Sequence, residues 1–196
     1  MPSTPGTPRT LATLYSQFAT NGAGQISASD LRDLVASMRP ALGVMGLSES
    51  QLIDISGQDA FVELTSADMR LGTNTYDAAA ASDVKGFDLV AEGRLSYNEA
   101  VASRVLVQGD VVLSHAEGSG QTVRVQLRKN GSDTTVLCER EVVVPNGGEA
   151  SVSLHGITRL GNAQYLSLWV ANSSSANDVT AAEFTLTALA TFGSDG

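Results

Sequence analysis

From Phe87 almost to the C-terminus, apolar and polar residues alternate in short runs separated by Gly, Asn and Ser. A period of two puts successive side chains on opposite faces of an extended chain, so these runs read as half-buried strands. Strands are expected over 87–97, 103–115, 121–129, 134–144, 150–155, 164–172 and 179–190. Within 121–129, Val123, Val125 and Leu127 face one way and Arg124, Gln126 and Arg128 the other. Asn130-Gly131 follows, a pair that tolerates positive φ and closes tight hairpins. Tyr165, Ser167 and Trp169 oppose Leu166, Leu168 and Val170, and Phe184, Leu186 and Ala188 share a face. Short strands at this spacing indicate an antiparallel sandwich, and about eight of them favour a jelly roll over an immunoglobulin-like fold.

The 196 residues suffice for one such domain and an appendage. Hydrophobic residues make up 42% and aromatics only 5%, so the core is built from Val, Leu, Ile and Ala. Residues 1–40 read as an N-terminal arm and helical anchor, 41–57 as a linker and 58–196 as the β-sandwich head, its first strand near 58–65. The arm begins Pro/Thr-rich, and Leu11, Leu14, Tyr15 and Phe18 have helical spacing. A second helix is signalled by Ser27 as N-cap, with Asp30 and Asp33 near its positive end, Arg39 near its negative end and Pro40 as its stop. Leu31, Leu34, Val35 and Met38 form one apolar stripe. A helix this short needs a partner for that stripe, so these four residues are the candidate anchor or oligomer interface.

A net charge of −9, with ten arginines scattered along the chain, argues against a nucleic-acid partner. Cys138 is the only cysteine, which excludes an intrachain disulfide and leaves a thiol zinc site without partners. The N-terminus lacks the pattern of a secretory signal, and no apolar run is long enough to cross a bilayer. Asn21–Asp30 has the glycine and final acid of a calcium loop, but Ala19 and Ala23 fall where ligands belong, so a turn before a capped helix explains it better. His115 and His155, the only histidines, are expected at strand ends as surface residues. Asp88 with Glu92, or Glu139 with Glu141, supplies the two carboxylates of a glycosidase, but few aromatics are available to stack on a sugar. Trp169 is expected half-buried in the sheet or in a subunit interface, and Cys138 as a small apolar filler. No HExxH, GxSxG or phosphate loop occurs. No catalytic, cofactor or metal residue is assigned, and the chain is read as a non-enzyme.

Two stretches carry a resemblance. Ile26–Ser37 resembles the short N-terminal helical segment of many tailed-phage virion proteins. Ala91-Glu92-Gly93-Arg94-Leu95-Ser96-Tyr97, Val123–Gly131 and Gln164–Asn172 are similar to the TNF-like or C1q-like jelly-roll heads of phage head fibres, decoration proteins and tail fibres. Such heads often carry Gly-Asp-Tyr before the penultimate strand, where this chain has Gly161-Asn162-Ala163-Gln164-Tyr165, so the turn is reshaped. The resemblance implies a homotrimeric structural protein on the exterior of a bacteriophage particle, made in the host cytoplasm. Its anchor would hold the major capsid protein or another virion protein and its head would be displayed; in a tail-fibre or minor tail protein the head would instead recognise a host surface polysaccharide. The loops 115–121, 145–149 and 172–178 would then make that contact. Neither nucleic acid nor membrane is an expected partner.

Overall fold

The computed structural model describes Leu31 and residues 41–47, 49–65, 67–71, 86–91, 93–99, 102–116 and 118–190. Two antiparallel six-stranded sheets stack face to face. Their strands are β1 (Ala41–Leu47), β2 (Gln51–Ile53), β3 (Val62–Glu63), β4 (Ala67–Leu71), β5 (Phe87–Ala91), β6 (Arg94–Tyr97), β7 (Ser103–Ser114), β8 (Gln121–Lys129), β9 (Val136–Val144), β10 (Glu149–Leu160), β11 (Tyr165–Asn172) and β12 (Val179–Ala190). The first sheet runs β10-β7-β12-β1-β4, with β2 also on β12; the second runs β5-β6-β11-β8-β9, with β3 also on β11.

Alternation does most of the work of placing side chains. Val105, Val107, Val111 and Leu113 of β7 point inward and are buried, while Arg104, Leu106 and Gln108 are exposed. The second sheet answers with Val123, Val125, Leu127, Leu166, Leu168 and Val170, all fully buried. Phe87 and Tyr97 meet edge to face at one end of the core, ring centroids 5.3 Å apart. Asn130 and Gly131 take φ of 55° and 64°, a left-handed pair that turns the chain at the start of the six-residue connection 130–135, where Ser132 N–H donates to the Lys129 carbonyl at 3.4 Å. Ser132 caps the short 3-10 turn Asp133–Thr135 that leads into β9.

Several expected boundaries shift. The stretch 41–57, read as a linker, contains β1 and β2, and β1 lies between β12 and β4 inside the first sheet. The single strand expected over 87–97 is the β5–β6 hairpin, turned at Gly93 with φ 77°. A Cβ there would lie 1.9 Å from the Leu64 carbonyl oxygen, so only glycine lets this turn sit against the β3 segment. The strand near 58–65 shrinks to Val62–Glu63, the one expected over 134–144 begins at Val136, and the one over 150–155 extends to Glu149–Leu160. In the reshaped turn, Ala163 takes φ 62°, and Gly161 N–H donates to the Gln164 side chain at 2.8 Å.

Candidate interaction surfaces

The outer face of the first sheet carries an apolar row. Ile157 of β10 lies opposite Leu106 of β7, Leu106 opposite Leu189 of β12, and Leu189 opposite Leu42 of β1. Directly opposed residues project from the same face of a sheet, so four strands contribute one continuous line of side chains, about 14 Å long at normal strand spacing. Ile157 is 69% exposed, and Leu106 and Leu42 are each 45% exposed. His155, Gln108, Thr187 and Val44 form the next row by the same pairings. A shallow groove of about 550 Å³ runs between the two rows on β10, β7 and β12. Single exposed apolar side chains are ordinary; a contiguous line of them marks a contact surface.

The outer face of the second sheet is covered differently. Phe61, just before β3, lies over β8 with the guanidinium carbons of Arg124 and Arg128 5.1 and 4.7 Å from its ring centre. Arg128 also stands 4.4 Å from the Trp169 ring, and Arg94 4.9 Å from Tyr165. Arg94 grips Glu63 with two hydrogen bonds of 2.9 and 2.7 Å. Arg124 donates twice to one oxygen of Glu139, at 2.9 and 2.7 Å, and contacts Asp59 at 3.3 Å. Gln126 donates to the other Glu139 oxygen and accepts from Arg128 at 2.7 Å. Burial pushes the Glu139 carboxyl upward, but the bonds from Gln126 and Arg124 and the charges of Arg124 and Arg128 outweigh it and hold it below the ordinary range. The bond to Glu63 raises Arg94 against the opposing effect of desolvation.

Three loops meet at one end of the sandwich. His115, just past β7, is 4% exposed. Its Nδ1 lies 3.1 Å from the Asp178 carbonyl, and its own carbonyl accepts from Gly147 N–H at 2.8 Å. Asp178 Oδ1 accepts from Ile55 N–H at 2.9 Å. Asn172 organises the neighbouring turn, donating to Gln121 and to the Asn177 carbonyl and accepting from Ser174 N–H. A cleft of about 400 Å³ opens here, lined by Leu52, His115, Ala116, Ala176, Asn177, Asp178 and Thr180.

The sequence-level candidates are distributed among these places. Of the anchor stripe, Leu31 is 51% exposed, and Leu34, Val35 and Met38 lie outside the described residues, as does the calcium-like loop. The two histidines are not brought together: His155 sits in mid-strand opposite Gln108, and His115 is buried rather than on the surface. Packing of three loops around its ring is what sequence spacing did not disclose. Glu141 lies opposite Arg124, Glu139 is committed to Arg124 and Gln126, Asp88 accepts from Asn98, and Glu92 is outside the described residues. Trp169 is half-buried in the sheet, and its indole N–H donates to Ser167 at 2.9 Å. Cys138 is partly buried against the core. Phe61 and the apolar row were missed, although the outward positions of β7 and β10 already held Leu106 and Ile157 where polar residues are usual.

Neither a protein-family model nor a curated protein matches this sequence. Solved structures do match in shape. Murine APRIL, solved at pH 5.0 and at pH 8.0, superposes with a TM-score of 0.51 in both, at 10% and 11% identity, over 76% of this chain and 98% of APRIL. The fold is a TNF-like jelly roll. An Eiger TNF from S. frugiperda also aligns, with a TM-score of 0.49 and 17% identity, over 78% of this chain and 93% of that one.

Proposed function

We propose that this protein is a homotrimeric display head of a bacteriophage capsid, a decoration or head-fibre protein. The N-terminal segment attaches it to the major capsid protein and the jelly roll projects outward. The observation that carries the oligomer is the row Ile157–Leu106–Leu189–Leu42, which a lone sandwich leaves in water and a closed symmetric assembly covers. Three copies is the association that the sequence resemblance implies. The virion setting rests on that resemblance, in Ile26–Ser37 and in the strand and hairpin sequences of the head.

Electron microscopy of intact particles tests the location. Density for the head on the capsid surface is expected; finding it only on tails sinks the decoration reading. Replacing both Leu34 and Met38 with Asp should weaken attachment to capsids while the head stays folded. Loss of the fold as well would overturn the division between anchor and head.

A second reading is favoured by the three-loop cleft at the end of the sandwich, whose surroundings include the loops 115–121, 145–149 and 172–178. In it the protein is a receptor-binding tail component, and the head binds a host surface polymer. Binding of the intact protein to host cell walls, in preference to capsids, supports this reading over the first.

A further inference from the structure

His155 stands on the face that the proposed assembly covers. It is exposed, in mid-strand on β10 and directly opposite Gln108 of β7. Outward positions recur at every second residue of a strand, so Ile157, the end of the apolar row, is its neighbour on the same face. The imidazole lines the groove of about 550 Å³ together with Leu106, Gln108, Ile157, Thr187 and Leu189. That lining holds no carboxylate and no other charged side chain.

The charged groups around the ring give a proton on it little support. On β7, Asp110 lies one row away, and both of its oxygens already accept, one from Ser153 and the other from Gln108. On β12, Glu183 pairs with Val112, two rows away, and on β10 Glu149 pairs with Ser114, farther still. Beyond the apolar row Arg104 faces Arg159, both exposed and of the same sign as an imidazolium. β9 meets β10 where Leu137 lies against Gly156, and its charged groups are Glu139, tied to Arg124, and Arg140 and Glu141, both exposed.

A second copy laid over this face takes the water from the groove. A neutral imidazole loses little by it. An imidazolium loses the hydration of a full charge, and the walls offer no carboxylate in exchange. Threefold closure repeats that cost in every copy. Separate copies therefore bind protons more readily than assembled ones, and by linkage association weakens as pH falls. We propose that His155 makes the assembly acid-labile: the copies hold together while its ring is neutral and separate when it takes up a proton. The proposal rests on the reading of this face as the contact between copies, and its test tells the failure of one from the failure of the other.

The test is the solution mass of the full chain at micromolar concentration, by sedimentation. It compares about pH 8 with about pH 5.5, a window in which histidine is the side chain that ordinarily changes charge. The chain has two, His115 and His155. The parent should be a trimer at the higher pH. At the lower pH its dissociation constant should rise about a hundredfold, with an unchanged far-ultraviolet spectrum. His155→Gln and His155→Leu, which cannot gain the proton, should each keep at the lower pH the mass shown at the higher, and at least one should be a trimer. A parent that is monomeric at the higher pH overturns this proposal and the trimer together. A folded parent that stays trimeric at both pH values overturns this proposal alone. So does either variant that loses copies on acidification, since His115 is still in place there, and so do two variants that are monomeric throughout.

Discussion

Arg128 is 2% exposed, yet it keeps its charge between two aromatic rings and the Gln126 carbonyl oxygen. The guanidinium is weakly hydrated and planar, so stacking compensates for lost water in a way an ammonium could not match. Arg128→Ala is expected to cost about 2–4 kcal/mol in urea unfolding. Arg128→Met, which keeps the aliphatic stem, should cost about 1 kcal/mol. Gly93 makes a sharper demand: Gly93→Ala meets the Leu64 carbonyl and a positive φ together and should cost roughly 3 kcal/mol or more. Gly147→Ala, also at positive φ but with open space around it, should cost about 1 kcal/mol by the same measurement. At this scale the sequence shows the direction of a side chain and not its cover. Arg124, Gln126 and Arg128 do face away from Val123, Val125 and Leu127, but Phe61, more than sixty positions upstream and just before β3, lies against Arg124 and Arg128, and the latter is buried.

Among the elements, β8 and β9 hold the groups whose charge matters most to the second sheet. The folded-state pKa of Glu139 is lowered, so its contribution is complete above the unfolded carboxylate range, near the ordinary value of 4.5, and is lost as pH falls through the lower folded value. Glu139→Gln should therefore lower stability most at neutral pH, where that contribution is complete, and remove its share of the acid slope between the lowered folded value and the ordinary 4.5. A variant with the same acid slope as the parent would refute the assignment. The long strands β7, β8, β11 and β12 were legible because each alternates over eight residues or more. The strand β1 was not, because Gly43 and Gly46 interrupt its pattern. The reason is steric: a Cβ on Gly43 would lie 2.6 Å from the Phe87 Cβ of the facing sheet. Packing between sheets chose glycine where local propensity argues for a loop. The β5–β6 hairpin was hidden for a related reason, since its turn is too tight to break the apolar rhythm on either side.

For the whole molecule, two sheets of the expected kind and a TNF-like arrangement followed from alternation, turn chemistry and resemblance. The outer faces did not, because they depend on which strands become neighbours. Leu42, Leu106, Ile157 and Leu189 are dispersed in the chain and align only through β1, β12, β7 and β10. Leu106→Glu combined with Ile157→Glu should convert an oligomer to a folded monomer, read as solution mass by light scattering with an unchanged far-ultraviolet spectrum. A parent protein that is already monomeric at micromolar concentration would remove the trimer.

The position of β12 sets an order of events during synthesis. It is the last of the described strands in chain order, yet it lies between β1 and β7 and also pairs with β2. Until residue 190 has left the ribosome, β1 and β7 have no neighbour in common, and Leu42 and Leu106 belong to separate surfaces. The four-strand row is thus complete only once β12 is inserted, although β7 and β10 already set Leu106 beside Ile157.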